Sequence, residues 1–189
     1  MFKKLLAPLL IFLVLGTAIT VMIMPTLFSS TLSHKLFYKE IDLELILEKN
    51  REIAIVFFGY SACDDVCTPR MESLAKFYNS LDKKTKQKIE VEFLDISQPV
   101  DKTLPSRYAQ YFNQDFKGIY LNEEILREYT KEFSVYFSQS LFDKQEYNHT
   151  ENLYLVKKKK GKKVLRYMYN TNPYDFKQIR ADIKELINE

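Results

Sequence analysis

The chain has 189 residues, which is enough for one ordinary globular domain and a short additional segment. Hydrophobic residues make up 46% of the chain and charged residues 28%, a balance that excludes a largely disordered protein. The net charge of +3 excludes strong non-specific attraction to nucleic acid, so we expect no nucleic-acid partner.

An uncharged, largely apolar run covers residues 5–24 and follows Lys3 and Lys4. Twenty helical residues rise about 30 Å, the thickness of a hydrocarbon core, so the run predicts one transmembrane helix. The run is longer than the apolar region of a signal peptide, about 7–15 residues, and no A-x-A-like site follows it. Cleavage near residues 29–33 is the alternative. Because the two lysines are expected to stay inside, the rest of the chain is predicted on the periplasmic side of an inner membrane.

Residues 1–28 are therefore assigned to an uncleaved membrane anchor, residues 29–40 to a linker and residues 41–189 to one globular domain. The apolar run IAIVFF predicts a central buried strand. Two later strands flank a lysine-rich tip around Gly161, and their short connection predicts an antiparallel hairpin. The four predicted strands are residues 53–58, 91–96, 153–156 and 164–169.

Apolar residues at helical spacing predict helices between these strands. A first helix begins near Pro69, and Asn122 is expected to cap another that runs from Glu123 to Phe137. Residues 104–112 are predicted to form a short helix, and the last helix is expected to begin at Asn172-Pro173. This order predicts an α/β, thioredoxin-like fold with a central mixed sheet and flanking helices.

The chain has two cysteines, Cys63 and Cys67, in the turn between the first strand and the first helix. A helix N-terminus favours thiolate, the form that attacks disulfides and binds Cu(I), although Asp64 and Asp65 oppose it. An exported domain can hold a structural disulfide, but a bridge across three residues closes too small a loop to stabilise the fold much. The pair is therefore predicted to be functional.

The two histidines are expected to have different roles. His34 lies in the segment before the domain and is expected to be a surface residue without a role. His149 precedes the strand at residues 153–156, where a thioredoxin-like fold faces its cysteine pair and usually carries a cis-proline. Residues 146–150 contain no proline. An imidazole at this position can complete a site of two thiolates and one nitrogen.

Four segments together resemble the Sco/SenC family, copper chaperones of cytochrome c oxidase assembly. They are FFGYSACDDVC at residues 57–67, FLDISQP with Asp95, FKGI at residues 116–119 and FSVYF at residues 133–137. The resemblance implies a copper site made by Cys63, Cys67 and His149. It also implies that the client is the oxidase subunit that carries copper, or one of its assembly factors.

The chain departs from the family pattern at four positions close to these residues. Asp64 and Thr68 replace prolines that follow the two cysteines, Ala62 stands where a histidine is common, and Asn148 replaces an aspartate. None of these changes removes a ligand. The added charge of Asp64 favours a bound cation and disfavours an uncompensated thiolate.

Two main functions follow. In the first, copper is held as Cu(I) by both thiolates and His149, and Cu(II) takes one more ligand. In the second, the protein is a thiol–disulfide oxidoreductase that reduces the client's cysteines, with Cys63 as the attacking thiol and Cys67 resolving the mixed disulfide. A peroxidase, for which nothing marks a peroxide pocket, and an inert module with a structural disulfide are further alternatives.

Overall fold

A computed structural model of the protein describes residues 34–47, 51–61, 63, 67–141 and 146–189. These residues contain eight strands: β1 (His34–Ile41), β2 (Ile53–Gly59), β3 (Ile89–Asp95), β4 (Lys117–Tyr120), β5 (Phe137–Gln139), β6 (Tyr147–His149), β7 (Leu153–Lys159) and β8 (Lys162–Tyr169). They also contain five helices: α1 (Cys67–Asn79), α2 (Lys83–Lys88), α3 (Leu104–Phe112), α4 (Glu123–Phe133) and α5 (Phe176–Asn188). Within these ranges no helix is long and apolar enough to cross a membrane. The predicted anchor at residues 5–24 lies outside them.

The main sheet has the strand order β1-β8-β7-β2-β3-β4 across the described residues. The strands β2, β3 and β4 are parallel, whereas β7 is antiparallel to both β2 and β8. Every residue of β2 is buried, as expected for a central strand that is covered on both faces. The predicted α/β fold with a central mixed sheet is confirmed, and so are the parallel first pair of strands and the lysine-tipped hairpin.

Two predicted helix boundaries are wrong. The helix predicted from Glu123 to Phe137 ends at Phe133, because Ser134 adopts a left-handed conformation with φ of 54° and its N–H caps the helix carbonyls. The last helix begins at Phe176 rather than at Asn172-Pro173. Its N-cap is Asp175, whose carboxylate accepts hydrogen bonds from the first-turn backbone N–H groups.

Several short elements were not predicted from sequence: β1, β4, β5, β6 and α2. Strand β1 begins inside the predicted linker at residues 29–40, and its residues Tyr38, Lys39 and Glu40 are exposed. An edge strand with polar, solvent-facing residues carries little apolar periodicity. Strands β4, β5 and β6 have only three or four residues each, too few for a period to be recognised.

The buried carboxyl group of Glu92 joins the sheet to the segment that follows β1. Its Oε1 atom accepts a hydrogen bond of 2.9 Å from the backbone N–H of Leu47, while Oε2 has no hydrogen-bond partner among the described residues. Glu90 lies two residues earlier on the same face of β3. The Nζ atom of Lys117 is 3.8 Å from Oε1 of Glu90. Burial, followed by repulsion from Glu90, raises the pKa of Glu92 to about 8, although the Leu47 N–H and Lys117 oppose this.

We predict that the free energy of unfolding falls as pH rises from about 5 to 8 and that Glu92→Gln removes most of this slope. The native state keeps the Glu92 proton in this range while the unfolded state has lost it, so the unfolded state binds fewer protons and ionisation favours unfolding. One such group changes stability by at most about 1.4 kcal/mol per pH unit. Urea unfolding of both proteins at several pH values measures the slope.

The matched control is Glu124→Gln, which changes an exposed glutamate on α4. It should leave the pH dependence of the wild type in place. A slope that persisted in Glu92→Gln would show that another group causes it.

Candidate metal centre

Both cysteines lie where β2 leads into α1. Helix α1 begins at Cys67, and the Cys67 backbone N–H donates a hydrogen bond to Cys63 Sγ at 3.2 Å. Neither cysteine forms a disulfide among the described residues, and both are buried, with Cys67 fully inaccessible and Cys63 4% exposed. The helix N-terminus therefore supplies a backbone donor to the Cys63 sulfur, as its position in the sequence predicted.

A close approach at the end of β2 requires a glycine. A Cβ atom at Gly59 would lie 2.9 Å from Cys67 Sγ and 2.9 Å from the Phe93 ring. Neither group can move far, because Phe93 belongs to β3 and Cys67 opens α1. Gly59 thus allows the sulfur to pack directly against the strand backbone.

The two thiols are not equivalent. A hydrogen bond from the Cys67 thiol to Cys63 raises the pKa of Cys67 well above its ordinary value, and burial and the charge of Asp95 act in the same direction. Cys67 therefore holds its proton more tightly than an ordinary thiol does.

His149 faces this pair from the last position of β6. Its Nε2 atom lies 3.5 Å from Cys67 Sγ, and its Nδ1 atom lies 3.0 Å from the carbonyl oxygen of Thr150. Because only a protonated Nδ1 can donate to that carbonyl, the neutral ring carries its free lone pair on Nε2. The imidazole therefore presents its unprotonated nitrogen to the Cys67 sulfur.

Tyr60 packs against His149 and Tyr147, and its hydroxyl interacts with Cys63. Its ring meets His149 edge-on with the centroids 6.0 Å apart and lies 5.4 Å from the ring of Tyr147. Burial, and then a hydrogen bond between its hydroxyl and Cys63, raise the pKa of Tyr60. The phenol stays neutral at physiological pH and can donate to a charged sulfur at Cys63.

The carboxylate of Asp95 fixes the turn that carries Cys63. Asp95 is fully buried at the end of β3, opposite Gly59. It accepts hydrogen bonds from the backbone N–H and hydroxyl of Ser61 on one side, and from the N–H and hydroxyl of Ser97 on the other. Four donors to one carboxylate hold the chain rigidly on both sides of the sheet edge.

The carbonyl group of Cys63 has hydroxyl partners that the sequence does not predict. Thr68 donates its hydroxyl to this carbonyl at 3.0 Å, and the Tyr108 hydroxyl of α3 lies 3.2 Å from Thr68 Oγ1. Thr68 stands where the family pattern has a proline. Its hydroxyl bonds the Cys63 carbonyl in the turn to the first turn of α1.

A surface groove of about 280 Å³ opens beside the pair. It is lined by Tyr60, Cys63, Glu146, Tyr147, Asn148, His149 and Glu151. Cys63 therefore reaches the surface groove, whereas Cys67 lies behind it. Asp64 and Asp65, whose charges are expected to oppose thiolate formation, lie outside the described residues, as does the side chain of His34.

The structure thus brings Cys67 and His149 together and places Cys63 beside Cys67. No set of three or more His, Cys, Asp and Glu side chains in the described ranges already has the spacing of an assembled metal site. The donor types nevertheless fit a soft ion, since two sulfurs and an imidazole nitrogen are the ligands that such ions prefer.

A thioredoxin-like fold with a C-x3-C pair at a helix N-terminus and a histidine on the facing segment defines the structural class of this protein. Within this class, the sequence profile of the SCO1/SenC family matches residues 49–188. The chain belongs to this family, as the resemblance in its motifs predicted.

Individual relatives agree with this assignment. The chain is 24% identical over 149 residues to an SCO2-like protein of Rickettsia conorii, covering 70% of each chain. Its fold matches the solution structure of apo Sco1 from Thermus thermophilus with a TM-score of 0.62 and 24% identity, over 81% of this chain and 92% of that one. It also matches the copper-bound ScoI of Arabidopsis thaliana with a TM-score of 0.60 and 18% identity, over 73% and 86%.

We predict that a limiting amount of iodoacetamide alkylates Cys63 about tenfold faster than Cys67 in the reduced protein. Cys63 lines the groove and accepts a backbone hydrogen bond at its sulfur, whereas Cys67 is inaccessible and its raised pKa keeps it protonated. Peptide mass spectrometry after short reaction times measures the two rates.

The variants Cys63→Ser and Cys67→Ser provide the controls for single-thiol reactivity. In Cys63→Ser the remaining thiol should react slowly, because it is still buried. Faster labelling of Cys67 than of Cys63 in the wild type would contradict the assignment of the attacking thiol.

Proposed function

We propose that this chain is a copper-binding metallochaperone for the dinuclear copper site of cytochrome c oxidase. Copper would be held by Cys63, Cys67 and His149. The observation that carries the proposal is the 3.5 Å approach of His149 Nε2 to Cys67 Sγ, with the imidazole lone pair on that nitrogen. Membership of the SCO1/SenC family and the copper bound by the Arabidopsis relative support it.

The donor set suits copper in the reduced state. Two thiolates and an imidazole are soft to intermediate ligands, which Cu(I) prefers in a low coordination number. Cu(II) would require a further ligand from water or another side chain. Both thiols must lose their protons on binding, so the raised pKa of Cys67 makes copper uptake release protons and weaken as pH falls.

The groove supports transfer to another protein. Cys63 lines it while Cys67 lies behind, so an incoming thiolate of the client can reach a metal held by Cys63 before it reaches the inner ligand. The client we infer is the copper-carrying subunit of the oxidase, or an assembly factor that presents it.

A second candidate function is thiol–disulfide exchange, favoured by the hydrogen bond from the Cys67 N–H to Cys63 Sγ. The Cys63 thiolate attacks one sulfur of a client disulfide, forms a mixed disulfide and releases the other client sulfur as a thiolate. Cys67, after losing its proton, attacks Cys63 Sγ and releases the second client thiolate. The client is reduced by two electrons, and the Cys63–Cys67 pair is oxidised to a disulfide.

We predict that the reduced full-length chain, purified in detergent, binds one copper ion and that His149→Ala weakens Cu(II) binding more than Cu(I) binding. Cu(II) prefers nitrogen and a fuller coordination shell, whereas Cu(I) keeps both sulfurs. Cys63→Ser and Cys67→Ser should each abolish tight binding. Competition titration measures affinity, and X-ray absorption should show two sulfur neighbours and at least one nitrogen.

The control for the imidazole is His34→Ala, which should bind copper as the wild type does. An absorption spectrum without sulfur, or one unchanged in His149→Ala, would contradict the ligand set. If the wild type reduced a model disulfide, His149→Ala retained that activity and neither bound copper tightly, the oxidoreductase function would replace the metallochaperone.

We further propose that residues 5–24 anchor the protein in the inner membrane and that the domain faces the periplasm, because of the length of the apolar run and the preceding Lys3 and Lys4. We expect protease added to spheroplasts to degrade the domain, and N-terminal sequencing of the membrane fraction to begin near residue 1. A mature protein beginning near Ser30 would mean that the segment is a cleaved signal peptide.

A further inference from the structure

The segment that carries His149 pairs with no strand of the main sheet within the described ranges, although the ring of Tyr60, which follows β2, packs against Tyr147 and His149. In the described part of the chain, β6 pairs with the three residues of β5 in a separate two-stranded sheet, and β7 begins only at Leu153. A backbone hydrogen bond from Thr150 to Tyr136 adds a second link, also to the β5 side. Residues 146–150 contain no proline that would stiffen them. These contacts do not connect His149 to the helix that carries Cys67.

An ion pair makes that connection. Arg70 lies one turn after Cys67 on α1, and its Nη2 atom is 2.6 Å from Oε2 of Glu151, two residues after His149. The Arg70 side chain is only 10% exposed, so its charge is largely removed from water. A buried guanidinium without its carboxylate is unfavourable, and the contact is therefore held closed.

Tyr174 forms a second contact with the same glutamate. Its hydroxyl donates to the backbone carbonyl of Glu151 at 2.5 Å, and its ring lies under the Arg70 guanidinium, 4.6 Å from centroid to Cζ. The ring is buried and packs edge-on against Phe176, which stacks on Phe77 of α1. Glu151 is thus fixed at both its carboxylate and its carbonyl group.

We propose that Arg70, Glu151 and Tyr174, which we call the Arg70 network, are positioning residues that hold His149 against Cys67 before copper arrives. The inference rests on the proposed function and extends it, since it assigns the preorganisation of the imidazole ligand to residues that do not themselves bind the metal. The side-chain contacts of the Arg70 network restrain residues 146–150, whose backbone contains no proline. A preorganised ligand loses less conformational entropy when the metal binds.

The test compares Glu151→Gln, Arg70→Met and the double variant with the wild type, as full-length chains in detergent. Glu151→Gln removes the charge but keeps the carbonyl that Tyr174 binds, and Arg70→Met keeps an apolar stem beneath the helix. The matched control is Glu123→Gln, which breaks an ion pair with Arg127 that is exposed and distant in sequence from the site.

The first measurement uses the metal-free protein. We expect hydrogen exchange in peptides covering residues 146–152 to become about tenfold faster in each single variant, because the segment opens more often. Peptides from β7 should exchange as in the wild type, which excludes global unfolding. The double variant should be no worse than the worse single variant, since both changes remove one interaction.

The second measurement is copper binding. We expect Cu(II) affinity to fall about tenfold in the single variants, with weaker nitrogen hyperfine coupling in the electron paramagnetic resonance spectrum, and Cu(I) affinity to fall less. Glu123→Gln should change neither quantity. Unchanged exchange and unchanged Cu(II) affinity in Glu151→Gln would overturn the positioning role, as would faster exchange without any effect on copper.

Two further outcomes are distinguishable. If Arg70→Met fails to fold, Tyr174→Phe provides the second variant, because it removes only the hydrogen bond to the Glu151 carbonyl and keeps the ring. Its exchange in residues 146–152 must increase for the proposal to stand. A wild-type chain that bound no copper would refute the proposed function, and the hydrogen-exchange comparison would still decide whether the Arg70 network holds His149.

Discussion

The parallel pairing of β2 with β3 determines where the groups of the candidate site lie. The register places Gly59 opposite Asp95, and the Ile96 N–H donates to the Gly59 carbonyl at 2.9 Å. Parallel strands end at the same edge of a sheet, so the turn that bears Cys63 and the carboxylate that holds this turn emerge side by side. A shift of the register by one residue would turn Asp95 to the other face and leave the Ser61 donors without their acceptor.

At this sheet edge the two thiols differ in their accessibility and in their hydrogen bonds. Cys67 is enclosed by the strand backbone at Gly59 and retains its proton, while Cys63 receives a backbone donor and lies on the groove. Such an asymmetry serves both chemistries considered above. A metal held between an inner and an outer sulfur can leave by the outer one, and a disulfide exchange needs one thiol to attack and the other to wait.

Sequence alone predicted the parts of the molecule that have strong local signals. The run at residues 53–58 was recognised because a strand buried on both faces is continuously apolar. The cysteines were recognised because both lie in one short turn before a helix, where a bridge would stabilise the fold little. His149 was predicted from the family resemblance and its place before β7. The supporting residues Thr68, Tyr108 and Arg70 could not be predicted, because each acts through a partner distant in sequence. Thr68 bonds a hydroxyl 40 residues away, and Arg70 pairs with a glutamate 81 residues away.

The two faces of β3 separate stability from site chemistry. Side chains alternate along a strand, so Phe93 faces Cys67 and Gly59 while Glu92 points to the opposite side, towards Leu47. The sheet therefore lies between the buried Glu92 carboxyl and the sulfurs. Protonation of Glu92 changes the free energy of unfolding through its burial, whereas copper uptake at the proposed site would depend on protons that leave the thiols. The pH dependence of folding and that of metal binding thus arise from different groups, and a substitution at Glu92 should alter the first without moving the second.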